Sequence, residues 1–279
     1  MKILSLETGN LKLDGGAMFG VVPKVLWNKV YPADENNLVN LSMRSLLVDT
    51  GHRRIIIDTG MGEKQDEKFL SHYYLNGDTT LVGSLKEAGY SPEDITDVLF
   101  THLHFDHCGG GVRHNDNGEA VLTFPNATYL VSAAQWEAAT KPNAREKASF
   151  LPENINPIKE SGRLKFLNNN DKIGEHVTVR LFDGHTTGQA IPFIQKNGDT
   201  LVYIGDVVPS VANIPLSWIT AYDMQPLVAL EEKKAFLEEA FENQYVLFFE
   251  HDIYHECCTL KKTEKGIRPD KTFALRDWV

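Results

Sequence analysis

An α+β fold, with two mixed β-sheets packed together and helices outside, is the architecture the sequence predicts. Three observations predict it. Short apolar runs recur between turn signals, they outnumber the helical periodicities, and the two kinds are interspersed along the chain rather than gathered in blocks. With 279 residues, 42% of them apolar and 24% charged, the chain has the composition of an ordinary globular protein and enough length to bury a core without staples. No internal repeat and no long low-complexity linker divides it, so residues 1–279 are expected to form one domain.

Taken in order, the expected strands are Lys2–Leu6, Ser45–Asp49, Arg54–Asp58, Asp97–Thr101, Thr128–Ser132, Val177–Phe182, Ala190–Gln195, Thr200–Ile204 and Tyr245–Glu250. Arg54–Asp58 and Thr200–Ile204 are apolar on both faces, which suits buried strands. Val177–Phe182 alternates, which suits a strand with one wet face. Leu81, Leu85 and Ala88 mark one face of a helix that Gly89 stops. Ser132–Thr140 reads as a second helix. Lys141 to Gly162, punctuated by Pro142, Pro152 and Pro157, reads as an inserted loop. A last helix runs from about Pro226 to Asn243. Leu227, Leu230, Leu237 and Phe241 form its apolar face, and Glu231, Glu232, Lys233, Lys234, Glu238 and Glu239 its solvated one.

Charge and cysteine content narrow the function. Lys plus Arg number 28 against 38 Asp plus Glu, a net charge of −10, which leaves no cationic surplus for a nucleic-acid partner. No apolar run of about eighteen residues is present, so no transmembrane helix and no membrane partner are expected. The opening MKILSLETGN is a poor signal peptide, because Glu7 interrupts its apolar patch. Cys108, Cys257 and Cys258 are too few and too awkwardly placed for a disulfide framework. A cytoplasmic location is the expectation.

The strongest local signal is Thr101-His102-Leu103-His104-Phe105-Asp106-His107, where an apolar strand ends. In an extended segment residues i and i+2 point the same way, so His102 and His104 can meet one cation. Asp106 and His107 lie just beyond, where the chain turns toward Gly109, Gly110 and Gly111, and would face a second cation. Imidazole and carboxylate suit Zn(II), and also Fe(II) or Mn(II). His52, His72, His114, His176 and His255 attach to no pattern, and Cys108 reads as a small packing residue.

The motif resembles the metal-binding signature of the metallo-β-lactamase superfamily, H-x-H-x-D-H, and four more segments match that family in order. They are Ile57-Asp58-Thr59-Gly60, Gly184-His185-Thr186-Thr187-Gly188, Tyr203-Ile204-Gly205-Asp206 and Phe249-Glu250-His251-Asp252. The resemblance implies a four-layer αβ/βα sandwich. It implies that His102, His104 and His185 bind one ion, that Asp106, His107 and His251 bind the other, that Asp206 bridges both, and that Asp58 supports the site by hydrogen bonding. It also implies a dinuclear hydrolase in which a hydroxide shared by the ions attacks a small-molecule substrate, with Asp106 orienting it and moving its proton.

Within the superfamily the chain looks most like the small bacterial acyl-homoserine lactonases and organophosphate (methyl parathion) hydrolases. A lactone, small ester or phosphotriester is therefore the expected substrate. The alternative is a glyoxalase II-like thioester hydrolase or a persulfide dioxygenase. Gly16 to Pro23 is apolar and Gly-punctuated. It is either a core-covering arm or a wall of the substrate pocket that reaches a partner in a homodimer, with Trp27, Trp218 and Tyr222 adding to that wall. One position departs from the lactonase pattern. The Tyr those relatives carry three residues after the bridging Asp is here Pro209, and Tyr222 is the candidate to replace it.

Overall fold

Ile55, Ile56 and Ile57 show how one strand can serve two cores. Successive side chains of a strand point to opposite faces. In the computed structural model, which describes residues 1–278, Ile55 and Ile57 join one apolar cluster and Ile56 joins another. The same alternation holds in Leu201, Val202 and Tyr203. Both runs are apolar on both faces because each face is covered.

Strands β1 (Lys2–Asp14), β2 (Leu38–Asp49), β3 (Arg54–Ile57) and β4 (Asp97–Leu99) begin the first sheet. A separate hairpin of β5 (Val112–His114) and β6 (Ala120–Leu122) follows, and β7 (Thr128–Ser132) and β8 (Leu164–Leu167) complete the sheet in the order β1-β2-β3-β4-β7-β8. It is antiparallel from β1 to β3 and parallel from β3 to β8. The second sheet contains β9 (Lys172–Ile173), β10 (Val177–Phe182), β11 (Gln189–Lys196), β12 (Asp199–Tyr203), β13 (Val246–Phe248), β14 (Cys257–Thr263) and β15 (Gly266–Phe273), in the order β15-β14-β13-β12-β11-β10-β9. Its parallel pair is β12 with β13.

Side chains from both sheets, among them Val48, Leu130, Val179 and Phe248, fill the space between them. Outside the first sheet, the helices Leu81–Glu87, Ala133–Thr140 and Pro152–Glu160 bring Leu85, Ala139, Ile155 and Ile158 onto Ile56, Val98 and Val131. Outside the second, the helix Pro226–Glu242 brings Phe236, Leu237 and Ala240 onto Val202 and Leu247. The result is the expected order of helix, sheet, sheet and helix. Local signals set several ends. Thr80 and Ser132 cap their helices, and Gly89 stops the first with φ at 86°.

Four details differ from the sequence expectation. The segment Lys141 to Gly162 contains the helix Pro152–Glu160: Pro152 stands in its first turn, where no N–H is needed, and Ile155 and Ile158 pack one turn apart. Strand β1 runs on to Asp14 past an irregularity between Glu7 and Asn10, which breaks the alternation that sequence can read. The hairpin of β14 and β15 lies in the polar C-terminal stretch, where no apolar run announced it. Finally, the long C-terminal helix keeps Leu237 and Phe241 inward as expected but is rotated at the rest of that face. Leu227 is 77% exposed and Lys233 only 1%, because Lys233, Phe236, Leu237 and Ala240 face inward.

Candidate metal centre

The chain leaves β3 at Asp58, whose φ of 52° ends the strand and turns the carboxylate beneath the next loop. Its two oxygens accept from the Thr101 backbone N–H at 2.7 Å and the Thr101 hydroxyl at 2.6 Å, pinning the loop that follows β4. That loop carries His102 and His104 and closes into the short helix Phe105–Cys108. Thr59 N–H donates to the His107 carbonyl at 2.7 Å. The glycines beyond are required by the close approach. A Cβ on Gly109 would lie 2.0 Å from the Met61 carbonyl oxygen, and one on Gly110 would lie 2.2 Å from that of Thr59.

Three distant segments meet this loop. His185 comes from the turn between β10 and β11, Asp206 follows β12, and His251 follows β13. All seven side chains expected at the site come together in two groups. His102, His104, His185 and Asp206 offer donor atoms within 4.8 Å of one another, as do Asp106, His107 and His251. Asp206 stands between the groups. Its Oδ2 is 3.1 Å from His185 Nε2 and 3.5 Å from His107 Nε2, and its Oδ1 is 3.3 Å from His251 Nε2.

This arrangement suits cations. Ring nitrogens approach one another at 3.0 Å (His102 with His104), 3.3 Å (His104 with His185) and 3.1 Å (His107 with His251). Asp206 Oδ1 is buried and accepts no hydrogen bond. Lone pairs so crowded, with an orphaned carboxylate oxygen among them, form a donor set for divalent ions that imidazole and carboxylate prefer.

Each ring is held by its other nitrogen. His102 Nδ1 meets the Thr101 hydroxyl at 3.0 Å, His185 Nδ1 meets Asp223 at 3.0 Å, and His251 Nδ1 meets the Ser42 carbonyl at 2.9 Å. His104 is reversed: its Nε2 meets Glu146 at 3.1 Å and its Nδ1 faces the other rings. His107 Nδ1 lies 3.1 Å from Asp58 and 2.9 Å from Glu250. Such partners fix tautomer and ring orientation. Of them the sequence pointed only to Asp58. Glu250 could have been noticed as a charged residue closing an apolar strand beside His251, whereas Glu146 and Asp223 sit in loops with no local signal.

Burial and charge divide the titrating groups. Burial, reinforced by the His107, His104 and His185 rings, holds His102 well below the usual histidine range. Burial lowers His104 as well, against the Glu146 hydrogen bond. Burial also opposes the charge on His107, but the carboxylates of Glu250, Asp206 and Asp106 outweigh it and hold this ring well above its usual range. Glu250 is pushed well above the usual carboxylate range by burial.

A cavity of about 360 Å³ opens over both groups, reaching His104, Asp106, His185, Asp206 and His251. Leu13, Met18, Leu41, Phe105 and Met224 give it apolar walls, and Tyr73, Tyr222, Arg145 and Pro209 also line it. The arm therefore both lines the cavity, through Met18, and covers a core, through Phe19. Trp27 does not reach the cavity; it is 1% exposed and stacks on Phe19 at 5.1 Å, where Trp218 also packs edge-on. Cys108 is buried beside the loop, its thiol donating to the Leu103 carbonyl at 3.3 Å and pushed by burial up to about 12.

Fold and donor set together define a class, and residues 44–251 match the metallo-beta-lactamase superfamily, to which the chain belongs. A probable metal-dependent hydrolase from Staphylococcus aureus is 32% identical, covers 98% of each chain and superposes with a TM-score of 0.88. An N-acyl homoserine lactonase of Bacillus cereus is 28% identical over 79% of this chain and 85% of its own. A dizinc quorum-quenching lactonase, AidC, solved with a product, shares the fold with a TM-score of 0.79 over 98% of this chain and 95% of its own, at 24% identity. The Bacillus cereus lactonase belongs to the branch to which the wording of the motif points.

Proposed function

We propose that this metallo-β-lactamase-fold hydrolase holds two divalent cations, most simply Zn(II), and opens a small lactone or ester. His102, His104 and His185 would hold one ion, Asp106, His107 and His251 the other, and Asp206 both. The observation that carries this assignment is the position of Asp206, with one oxygen nearest each group and no hydrogen bond to Oδ1. Two such ions supply Lewis acidity toward the substrate oxygen and lower the pKa of water toward neutrality.

The remaining work falls to the chain. Asp106 lines the cavity and would orient the attacking water and accept its proton. Tyr222 lines the same cavity, where burial, and next the Asp106 charge, raise its hydroxyl and keep it a donor. It would hydrogen-bond the substrate in place of the Tyr that Pro209 replaces. Leu13, Met18, Leu41 and Met224 would take an acyl chain and keep water from it. Pro209 in the wall leaves a phosphotriester as the second reading. The exposed row of Val21, Val25, Leu26 and Val30 supports a homodimer through the N-terminal arm. Three buried free thiols suit a reducing compartment, and the protein is proposed to be cytoplasmic.

Elemental analysis combined with a lactone, ester and phosphotriester panel tests the proposal. About two ions per chain and turnover of a lactone or ester are expected, and Asp106→Asn should lower kcat by roughly 10²–10⁴-fold. Metal-loaded protein inert toward the whole panel would refute it.

A further inference from the structure

The helix Pro226–Glu242 contains a buried lysine with no part in the chemistry above, one that burial brings down to about 7. Lys233 is 1% exposed, and among the described residues no carboxylate pairs with it at salt-bridge distance. Its ammonium donates instead to three backbone carbonyls, those of Pro215 and Trp218 at 3.0 Å each and that of Asn213. An ammonium has three hydrogens and no acceptor, so this cage satisfies it completely. A buried charge is retained only where such partners exist. Here all three belong to one loop segment with no regular structure beyond a single short turn.

That segment leads directly to the site. Past Trp218, Ala221 N–H donates to the Ala17 carbonyl at 2.8 Å, tying the segment to the N-terminal arm. The Thr220 hydroxyl donates to Asp223 at 3.0 Å, and the same Asp223 oxygen holds His185 Nδ1. Thr220, Ala221, Tyr222 and Met224 form one side of the cavity. The neighbouring Glu232 accepts from the Asp183 and Gly184 N–H groups at 2.8 and 2.9 Å and so holds the turn that carries His185. Two adjacent charged residues of one helix thus fasten two loops of the site.

We propose that Lys233 is a positioning residue that sets the Thr220–Met224 wall, and through it how the site accepts the part of the substrate remote from the scissile bond. The second half rests on the hydrolase assignment; the cage does not depend on it. Lys233→Met keeps the unbranched stem of the side chain and removes the ammonium with all three donors. Phe236→Leu, on the same face one turn later, is the control for lost packing alone.

Two readouts separate the possibilities. In Lys233→Met, amides of residues 216–222 should exchange with deuterium about tenfold faster or more, with residues 102–108 unchanged. KM for a long-chain ester or lactone should rise roughly tenfold while kcat stays within about threefold. Phe236→Leu should lower the melting temperature without either change. Unaltered exchange in 216–222, or identical behaviour of the two variants, would overturn the proposal. If Lys233→Met does not fold, Lys233→Gln, which keeps two donors, is judged by the same outcomes. If the wild-type protein cleaves nothing, the hydrolase assignment fails while the exchange measurement still decides the cage.

Discussion

His107 faces two buried carboxylates with a single ring N–H to offer them. Asp58 Oδ2 lies 3.1 Å from Nδ1 and Glu250 Oε2 2.9 Å from it. Burial pushes Glu250 well above the usual carboxylate range, and its Oε2 accepts from the Tyr203 hydroxyl at 2.6 Å. Asp58→Asn, which also loosens the Thr101 contacts, should weaken binding of an ion held with His107 by about 10–100-fold, whereas Glu250→Gln should cost less, because burial already disfavours the charge on Glu250. Chelator competition on the two variants checks the order, and equal losses would contradict it.

The same residues set an acid-side dependence. A proton competes with an ion for each ring, and the ring with the higher pKa loses that competition first. His107 lies well above its usual range; against its burial, His185 is raised less far, by Asp206 and Asp223, and His102 and His104 lie below theirs. As pH falls, the ion held by Asp106, His107 and His251 should therefore leave before the one held by His102, His104 and His185. Metal retained after dialysis at stepped pH should show two separate losses in that order. Simultaneous release would contradict it.

At the scale of elements, the long C-terminal helix gives a plain test of which face is inward. Phe236→Ala should cost about 3–5 kcal/mol in chemical denaturation, and Leu227→Ala no more than about 0.5 kcal/mol. Sequence periodicity places Leu237 and Phe241 correctly on the inward side but centres that face too near Leu227, because a lysine reads as solvated and only the carbonyl cage shows why Lys233 is not. The strands Thr128–Ser132 and Val177–Phe182 were legible to the residue, since continuous or alternating apolar runs with clear ends require no tertiary information. The helix Pro152–Glu160 was not, because its prolines mimic loop punctuation. In the site, the stretch from His102 to His107 was legible because its donors are contiguous. His185, Asp206 and His251 were recognisable only by family resemblance, and Glu146 and Asp223 became visible only when the fold brought them to ring nitrogens.

At the scale of the molecule, the donors are shared between the layers. His102, His104, Asp106 and His107 follow a strand of the first sheet, while His185, Asp206 and His251 extend from the second. Any cation seated among them would cross-brace the seam where the two halves of the sandwich meet, so occupancy and docking of the halves become one linked equilibrium. Starvation for metal would then do more than silence the enzyme: it would loosen the joint itself and leave the emptied chain more exposed to proteolysis.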